Sequence, residues 1–142
     1  MTASLAGGVE DAALARAWGV PSVWRFRSVG STNDVARALG DAGAEAGTTV
    51  VAEEQLRGRG RSGDPWVSAA GLGAWLSVLL RPAPGIDSTL LPLHIGLAAA
   101  GALDVWLPPP GAGIRWPNDL LWQGRKLAGV LCEASRGRGG TG

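Results

Sequence analysis

One continuous apolar run constrains the fold of this 142-residue chain more than any other feature. Between Gly73 and Arg81 the sequence reads Ala-Trp-Leu-Ser-Val-Leu-Leu, and Pro82 and Pro84 follow it. A strand with one solvated face alternates polar and apolar residues, whereas a strand buried on both faces is apolar nearly throughout. We therefore expect this run to be a central strand of a sheet that is covered on both faces.

The segments around that run switch irregularly between strand and helix patterns. Period-two and β-branched patterns predict strands at residues 22–29, 48–53, 114–116, 120–122 and 126–134. Helical spacing predicts helices at residues 9–18, 31–42 and 90–106. The second of these helices opens with a capping-box pattern, in which Ser31 is followed three residues later by Asp34. Because strands and helices do not alternate one for one, the expected fold class is α+β, with helices packed on a mixed sheet.

Composition excludes several classes of protein. The chain is 46% hydrophobic and 18% charged with a net charge of +1, which suits a globular core and argues against a protein that coats nucleic acid. The single cysteine, Cys132, excludes an internal disulfide and is expected in the core. The apolar stretch at residues 90–103 is shorter than the roughly 20 residues that span a bilayer. It is expected to be a buried helix, with His94 as a core histidine.

A loop rich in arginine and glycine is the first candidate site. Residues 57–63 read Arg-Gly-Arg-Gly-Arg-Ser-Gly, which places three guanidinium groups within five residues. These groups repel one another unless an anion neutralises them, and guanidinium binds phosphate oxygens in pairs. A polyphosphate or nucleotide is therefore one predicted ligand, whereas a solvated loop or an RNA-binding segment stays open. Trp66 is either a stacking partner for a base or a core residue.

A second candidate site surrounds Lys126, the one lysine among 13 basic residues. It follows the sequence Arg-Trp-Pro-Asn-Asp at residues 115–119. If the strands on either side of residues 123–125 pair, the Asp119 carboxylate comes next to the Lys126 ammonium. The alternative is a solvated strand end. Ser31, Thr32 and Gln55 add neutral polar groups at the ends of elements, where they either bind a polar ligand, cap a helix or lie on the surface.

Taken in order, these motifs resemble the biotin–protein ligase family. The motifs are Ser31-Thr32-Asn33, Gln55 ahead of the loop and Trp66, residues 115–119 and residues 126–131. The likeness extends over residues 24–133. It implies a fold like that of biotin ligases and class II aminoacyl-tRNA synthetases. It also implies a two-step reaction, in which biotin and ATP give biotinyl-5′-adenylate and pyrophosphate, and the ε-amine of a lysine on a carrier domain then attacks the mixed anhydride and takes the biotinyl group.

The resemblance also implies roles for individual residues. The implied biotin-binding residues are Ser31, Thr32, Asn33, Gln55, Gly58, Arg59, Gly60, Arg61, Lys126 and Gly129. The implied nucleotide-binding residues are Arg59, Arg61, Ser62, Gly63, Trp66 and Asn118. Lys126, Arg61 and Asp119 are the implied catalytic residues. The substrates are biotin and ATP with Mg²⁺, no protein ligand to a metal is assigned, and the implied partner is a biotin carboxyl carrier protein domain. Neither DNA nor membrane is an expected partner, and homodimerisation is left open.

The sequence departs from the family pattern at three points. Asp64 stands where the family loop usually has a basic residue, and Arg115 replaces the common lysine. The sequence also stops soon after the Lys126 strand, where the family continues with further strands and a small β domain, and residues 1–23 leave no room for a winged helix. We therefore expect a helical extension at residues 1–23, a truncated catalytic domain at 24–134 and a flexible tail at 135–142. Such a chain is expected to be monofunctional, and weak or inactive as it stands.

Other functions remain open at this point. A lipoate ligase or octanoyltransferase has a similar fold and also modifies a carrier lysine. A nucleic-acid-binding module that uses the arginine loop, and an inactive chain that still binds biotin, are the alternatives outside catalysis. The first ten residues do not have the pattern of a signal peptide, and one thiol is consistent with a reducing compartment, so a cytoplasmic location is expected.

Overall fold

The computed structural model describes residues 7–135, which form two compact units. The first unit contains the described residues up to Arg81, with Ala134 and Ser135, and the second contains Pro82–Glu133. Apart from Ser135, the tail that the sequence predicts at 135–142 lies outside the described residues. The boundaries expected at residues 23 and 134 stay predictions.

A mixed four-stranded sheet and two helices make up the first unit. The strands are β1 (Val9–Glu10), β2 (Val23–Val29), β3 (Thr49–Gln55) and β4 (Trp75–Val78), and the helices are α1 (Ala12–Trp18) and α2 (Thr32–Asp41). The strand order is β1-β2-β3-β4, with β2 and β3 parallel and the other two pairs antiparallel. The expected α+β class with a mixed sheet is therefore confirmed.

The core of this unit lies between α2 and the two parallel strands. Helix α2 is amphipathic, and Val35 and Leu39, four residues apart, bury the same face of it. They pack in one cluster with Phe26, Val29, Ala36, Val50 and Ala52. This packing fixes the start of α2 beside the carboxyl ends of β2 and β3, because the helix follows β2 after only two residues.

The first helix begins later than its apolar pattern predicts. Residues Val9 and Glu10 pair with Arg25 and Trp24 as a short strand. The Asp11 side chain then accepts a hydrogen bond from the backbone N–H of Leu14 at 2.9 Å. Asp11 is therefore the N-cap, and the helix starts at Ala12.

The expectation of a central, doubly covered strand at residues 73–81 is wrong for the described residues. Only Trp75–Val78 form a strand, and β4 is the edge of the sheet with β3 as its neighbour. Exposure alternates along it, with Ser77 buried and Leu76 and Val78 50% and 44% exposed. The reason is that the polar residue of the run faces α2, where its hydroxyl group finds hydrogen-bonding partners.

An antiparallel sheet and one long helix make up the second unit. A 3-10 turn at Ser88–Leu90 leads into α3 (Leu91–Asp104), and the strands are β5 (Gly113–Arg115), β6 (Asp119–Trp122) and β7 (Arg125–Gly129). Adjacent strands are antiparallel in the order β5-β6-β7. Gln123 and Gly124 connect β6 to β7 with φ of 49° and 74°, the two positive angles that a tight two-residue hairpin requires.

Helix α3 is much less buried than its composition predicts. Gly96 and Ala100 are its buried residues, and His94 is exposed, so the expectation of a core histidine is wrong. The helix contacts β5 and β6 along a narrow strip, where a Cβ on Gly96 would lie 3.9 Å from Ile114 and Leu120.

Cys132 is also exposed rather than buried, because β7 ends three residues before it. Among residues 7–135, no helix has the length and apolar character needed to cross a bilayer.

Candidate active site

The predicted site residues fall into two groups, one in each unit. The first group surrounds the carboxyl end of β3, where a cavity of about 680 Å³ opens. Its lining includes Gln55, Gly58, Arg59, Trp66 and Ser68. The second group lies on β5, β6 and β7, and each group is described by itself below.

Gln55 and the start of α2 form the centre of the first group. The Gln55 Oε1 atom accepts hydrogen bonds from the backbone N–H of Thr32 at 2.8 Å and from the Thr32 hydroxyl at 3.0 Å. Ser31 occupies the N-cap position but makes no side-chain capping bond. The capping box expected from Ser31 and Asp34 is therefore wrong. The parallel register sets Gln55 beside Val29, two residues before Ser31, so that a neighbouring strand supplies the acceptor for the helix end.

Two serines that sequence reasoning did not select extend this network. Ser77 donates to the Thr32 Oγ1 atom at 2.8 Å and also contacts Asn33 Oδ1. Ser68 accepts from Gln55 Nε2 at 2.9 Å and donates to the Trp66 carbonyl at 3.3 Å. Both serines are buried. A polar residue in the middle of an apolar run was the available signal for Ser77, whereas the sequence around Ser68 carries none.

Gly58 connects the polar network to the arginine loop. A Cβ at this position would lie 2.5 Å from the Trp66 carbonyl oxygen, 2.7 Å from Ser68 Oγ and 3.2 Å from Gln55 Nε2. Backbone cannot give way as a flexible side chain can, so this approach requires glycine. The absence of a side chain at Gly58 therefore leaves the space in which Gln55 and Ser68 meet.

The arginine loop folds as a small hairpin. Trp66 N–H donates to the Gly58 carbonyl at 2.8 Å, Gly60 N–H donates to the Asp64 carbonyl at 2.8 Å, and Arg59 pairs with Pro65. Gly63 has φ of 80°, which closes the turn. Arg61, Ser62 and Gly63 are exposed at its tip, whereas Trp66 is half-buried at its base.

Asp34 supplies a protein anion to the arginine loop. The two terminal nitrogens of Arg59 lie 2.8 Å and 3.3 Å from the two Asp34 carboxylate oxygens. The hydrogen bond from Arg59, followed by the charges of Arg59, Arg37 and Arg57, holds the pKa of Asp34 below its usual range, although burial acts in the opposite direction. The repulsion expected among the guanidinium groups is therefore partly relieved without a ligand.

Asp119 is the centre of the second group. Its Oδ1 atom lies 2.8 Å from Lys126 Nζ, and its Oδ2 atom accepts a hydrogen bond from Arg115 at 2.6 Å. Burial acts to raise the pKa of Asp119, but the hydrogen bonds and charges of Lys126 and Arg115 outweigh it and lower the pKa. The pairing predicted for Asp119 and Lys126 is confirmed, with a second cation that sequence reasoning did not place there.

The register of the hairpin explains how Lys126 reaches Asp119. Lys126 pairs with Leu121, and an irregularity between Leu120 and Leu121 shifts the register of β6 against β7. Leu121 and Asp119 are two residues apart on one strand, so they share a face of the sheet. The ammonium group therefore reaches the carboxylate diagonally.

Asn118 and Gly129 complete the second group. The Asn118 side-chain amide donates to the Val130 carbonyl at 3.0 Å, and the Asn118 backbone carbonyl accepts from Val130 N–H at 2.8 Å. These bonds fix the turn that precedes Asp119. Gly129 lies opposite Asp119 in the sheet. Asn118 therefore has a structural task in addition to the nucleotide contact predicted for it.

No set of three or more histidine, cysteine or acidic side chains within residues 7–135 is arranged to hold a metal ion. Asp119 has both oxygens engaged by cations, and Asp34 is paired with Arg59. These two carboxylates are therefore engaged by protein cations.

Comparison with known proteins decides the family. The family model described as "Biotin/lipoate A/B protein ligase family" matches residues 26–141. The chain belongs to this ligase family. The match covers both groups of candidate residues, from the start of α2 to the Lys126 strand.

Individual relatives of this family member carry biotin ligase names. It is 38% identical over 127 residues to the biotin–[acetyl-CoA-carboxylase] ligase of Mycobacterium tuberculosis, covering 83% of this chain and 48% of that protein. It is 40% identical over 107 residues to the enzyme of the same name from Paracoccus denitrificans, with 74% and 44% covered. It is also 39% identical over 105 residues to the bifunctional ligase/repressor BirA of Bacillus subtilis, covering 72% of this chain and 32% of that protein. The chain thus spans 32–48% of the length of these relatives.

Solved structures agree with the fold of this family member. A biotin protein ligase from Aquifex aeolicus, in complex with biotin and ATP, superposes with a TM-score of 0.68 at 35% identity, covering 80% of this chain and 47% of that one. A biotin protein ligase from Leishmania major with biotinyl-5-AMP gives a TM-score of 0.70 at 30% identity, with 81% and 53% covered. The biotin ligase-like fold expected from the motifs is therefore confirmed.

Proposed function

We propose that this family member acts in ATP-dependent biotinylation of a carrier protein. The observation that carries the proposal is the neutral polar network around Gln55, which borders a cavity beside the arginine hairpin. A urea head group needs neutral donors and acceptors, and an activated carboxylate needs cationic groups. Both kinds of group occur among the residues that the family motifs select.

Thr32 and Gln55 are the residues proposed to bind the urea head group of biotin. A buried urea group that lacks hydrogen-bonding partners costs about 1–3 kcal/mol for each unsatisfied atom. Hydroxyl and amide groups satisfy it without bringing a charge into the pocket. Ser31, Asn33 and the backbone around Gly58 and Gly60 would contribute further contacts to the same group.

Arg61 and Lys126 are the residues proposed to neutralise the negative charges of the reacting groups. Joining biotin to AMP brings a carboxylate and a phosphate together, and two negative charges about 4 Å apart repel by roughly 4 kcal/mol at an effective dielectric of 20. Lys126 would oppose this repulsion as the anions meet, and Asp119 would orient its ammonium. Arg61, with Ser62 and Gly63, would close on the phosphate, and Trp66 would flank the adenine. The reaction would proceed by positioning and charge neutralisation, without a covalent enzyme intermediate.

Magnesium would enter with ATP as part of the substrate. Asp34 and Asp119 are already engaged by cations, so the phosphates of ATP, rather than these two carboxylates, would hold the ion. In the second step the amine of a carrier lysine would attack the adenylate and release AMP. A biotin carboxyl carrier protein domain is the proposed partner, in the cytoplasm, and residues 24–134 are the proposed catalytic region.

Calorimetric titration of the chain with biotin and with lipoate tests this assignment. Biotin should bind and lipoate should not, because the dithiolane ring of lipoate offers no partner for the Thr32 and Gln55 groups. Binding of lipoate in preference to biotin would instead favour the other branch of the family. Affinity for RNA that falls steeply with salt, in the absence of biotin binding, would revive the nucleic-acid alternative.

The role of Lys126 is tested by exchanging it for arginine. In a full-length ligase that contains this region, biotin-dependent exchange of pyrophosphate into ATP should fall at least 100-fold in Lys126→Arg, because a planar guanidinium does not replace a compact ammonium between two anions. Biotin binding should be largely kept. Exchange at the rate of the unsubstituted full-length ligase would remove Lys126 from the mechanism.

A further inference from the structure

The Gln55 amide is held at both of its ends. Its Oε1 atom accepts two hydrogen bonds from Thr32, one from the backbone N–H and one from the hydroxyl, and its Nε2 atom donates to Ser68. A backbone N–H can only donate, so the atom that faces Thr32 must be the amide oxygen. The amide nitrogen therefore lies on the Ser68 side.

Ser68 continues this set of bonds in the direction that the Thr32 N–H sets. Because Ser68 Oγ accepts from Gln55, its own proton goes to another acceptor, the Trp66 carbonyl at 3.3 Å. Ser68 is only 3% exposed, so water cannot readily take its place. Both lone pairs of Gln55 Oε1 are occupied by Thr32. What Gln55 can offer a ligand is the second hydrogen of its amide nitrogen.

We propose that Ser68 is a positioning residue, which holds the Gln55 amide nitrogen in the orientation that the Thr32 N–H sets, so that the pocket presents a hydrogen-bond donor and selects ligands with an acceptor oxygen at that point. The inference rests on the proposed function for its ligand, whose urea carbonyl is such an acceptor. Gly58 supports the arrangement, because a Cβ there would come within 2.7 Å of Ser68 Oγ and 3.2 Å of Gln55 Nε2.

The amide orientation can be measured without any ligand. The chain contains two glutamines and two asparagines, so a ¹⁵N-labelled sample gives only four side-chain amide groups. In Ser68→Ala, the Gln55 amide protons should move upfield and exchange faster with solvent. Gln123, in the exposed turn between β6 and β7, is the internal reference. Ser28→Ala, which removes an exposed serine from β2, should leave the Gln55 signals in place.

Biotin binding by the same variants gives a second readout. Ser68→Ala should raise the dissociation constant for biotin about tenfold, and Ser68→Thr, which keeps the hydroxyl group, should recover most of the loss. Gln55→Glu replaces the donor by an acceptor and should weaken binding at least 100-fold. Ser28→Ala should bind biotin as the unsubstituted chain does.

The two hypotheses fail in different ways. If the unsubstituted chain does not bind biotin, the proposed function is contradicted, while the Gln55 spectrum still decides the role of Ser68. If the Gln55 signals in Ser68→Ala coincide with those of the unsubstituted chain, the positioning role is overturned, whatever the affinity for biotin. Equal affinity of Gln55→Glu and the unsubstituted chain for biotin would also overturn it.

Discussion

Arg59 and Asp34 form a two-pronged ion pair between the arginine hairpin and the first turn of α2. Each carboxylate oxygen faces a different terminal nitrogen of the guanidinium group, at 2.8 Å and 3.3 Å. Paired contacts of this kind have more directional specificity than a single charge contact. The pair joins residues 25 positions apart, so it ties the hairpin to the helix that carries Thr32.

Asp34→Asn should lower the free energy of unfolding at pH 7 by about 0.5–1 kcal/mol, the range of a partly exposed pair. The folded chain lowers the pKa of Asp34, so the unfolded state binds the proton more readily. The stabilisation is therefore complete above about pH 4 and disappears as pH falls through the lower pKa of the folded state. Denaturant titrations between pH 2 and pH 7 measure it. Asp41→Asn, at the exposed end of α2, should show no such loss.

Gly58→Ala should destabilise the chain by about 1–3 kcal/mol, because the new methyl group would meet backbone at 2.5 Å. Gly60→Ala is the matched control, since the nearest atom to a Cβ there is 3.7 Å away. Thermal unfolding of both variants makes the comparison. Equal stability of the two would show that the hairpin relaxes around Gly58.

Substituting both cations around Asp119 should cost more than the two single changes together. Arg115→Met and Lys126→Met should each reduce stability by about 0.5 kcal/mol, because the other cation still pairs with the carboxylate. The double variant leaves that carboxylate without a partner and should lose about 1 kcal/mol beyond the sum. Urea titration of the four proteins measures the coupling. The coupling between the two substitutions should vanish in an Asp119→Asn background, because the carboxylate that both cations contact is then absent.

Arg61→Ala should weaken the binding of ATP about tenfold, which corresponds to the loss of one charge-assisted phosphate contact of about 1.4 kcal/mol. The dependence of affinity on salt should become shallower as well. Arg27→Ala removes an exposed charge from β2 and serves as the control in calorimetry with ATP. An equal loss of affinity in both variants would mean that ATP binding depends only on the net charge of the protein.

Local sequence determined the elements whose contacts are short in range. The spacing of apolar residues predicts α2, and the alternation at residues 22–29 predicts β2, because each pattern repeats with the period of one element. The contact between Asp119 and Lys126 could also be predicted from the sequence, since a tight turn joins their strands and only seven positions separate them. The order of the family motifs then led to the ligase family.

Tertiary structure alone decided how the polar groups are used. Gln55 contacts the start of α2 because β2 and β3 are parallel neighbours, and no pattern along the chain encodes a partner 23 residues away. The same holds for Ser68, and for Asp34, which pairs with Arg59 rather than capping its own helix. Composition likewise failed to predict that the apolar run around Ser77 is an edge strand, because hydropathy reports how much surface favours burial and not which neighbours are present to bury it.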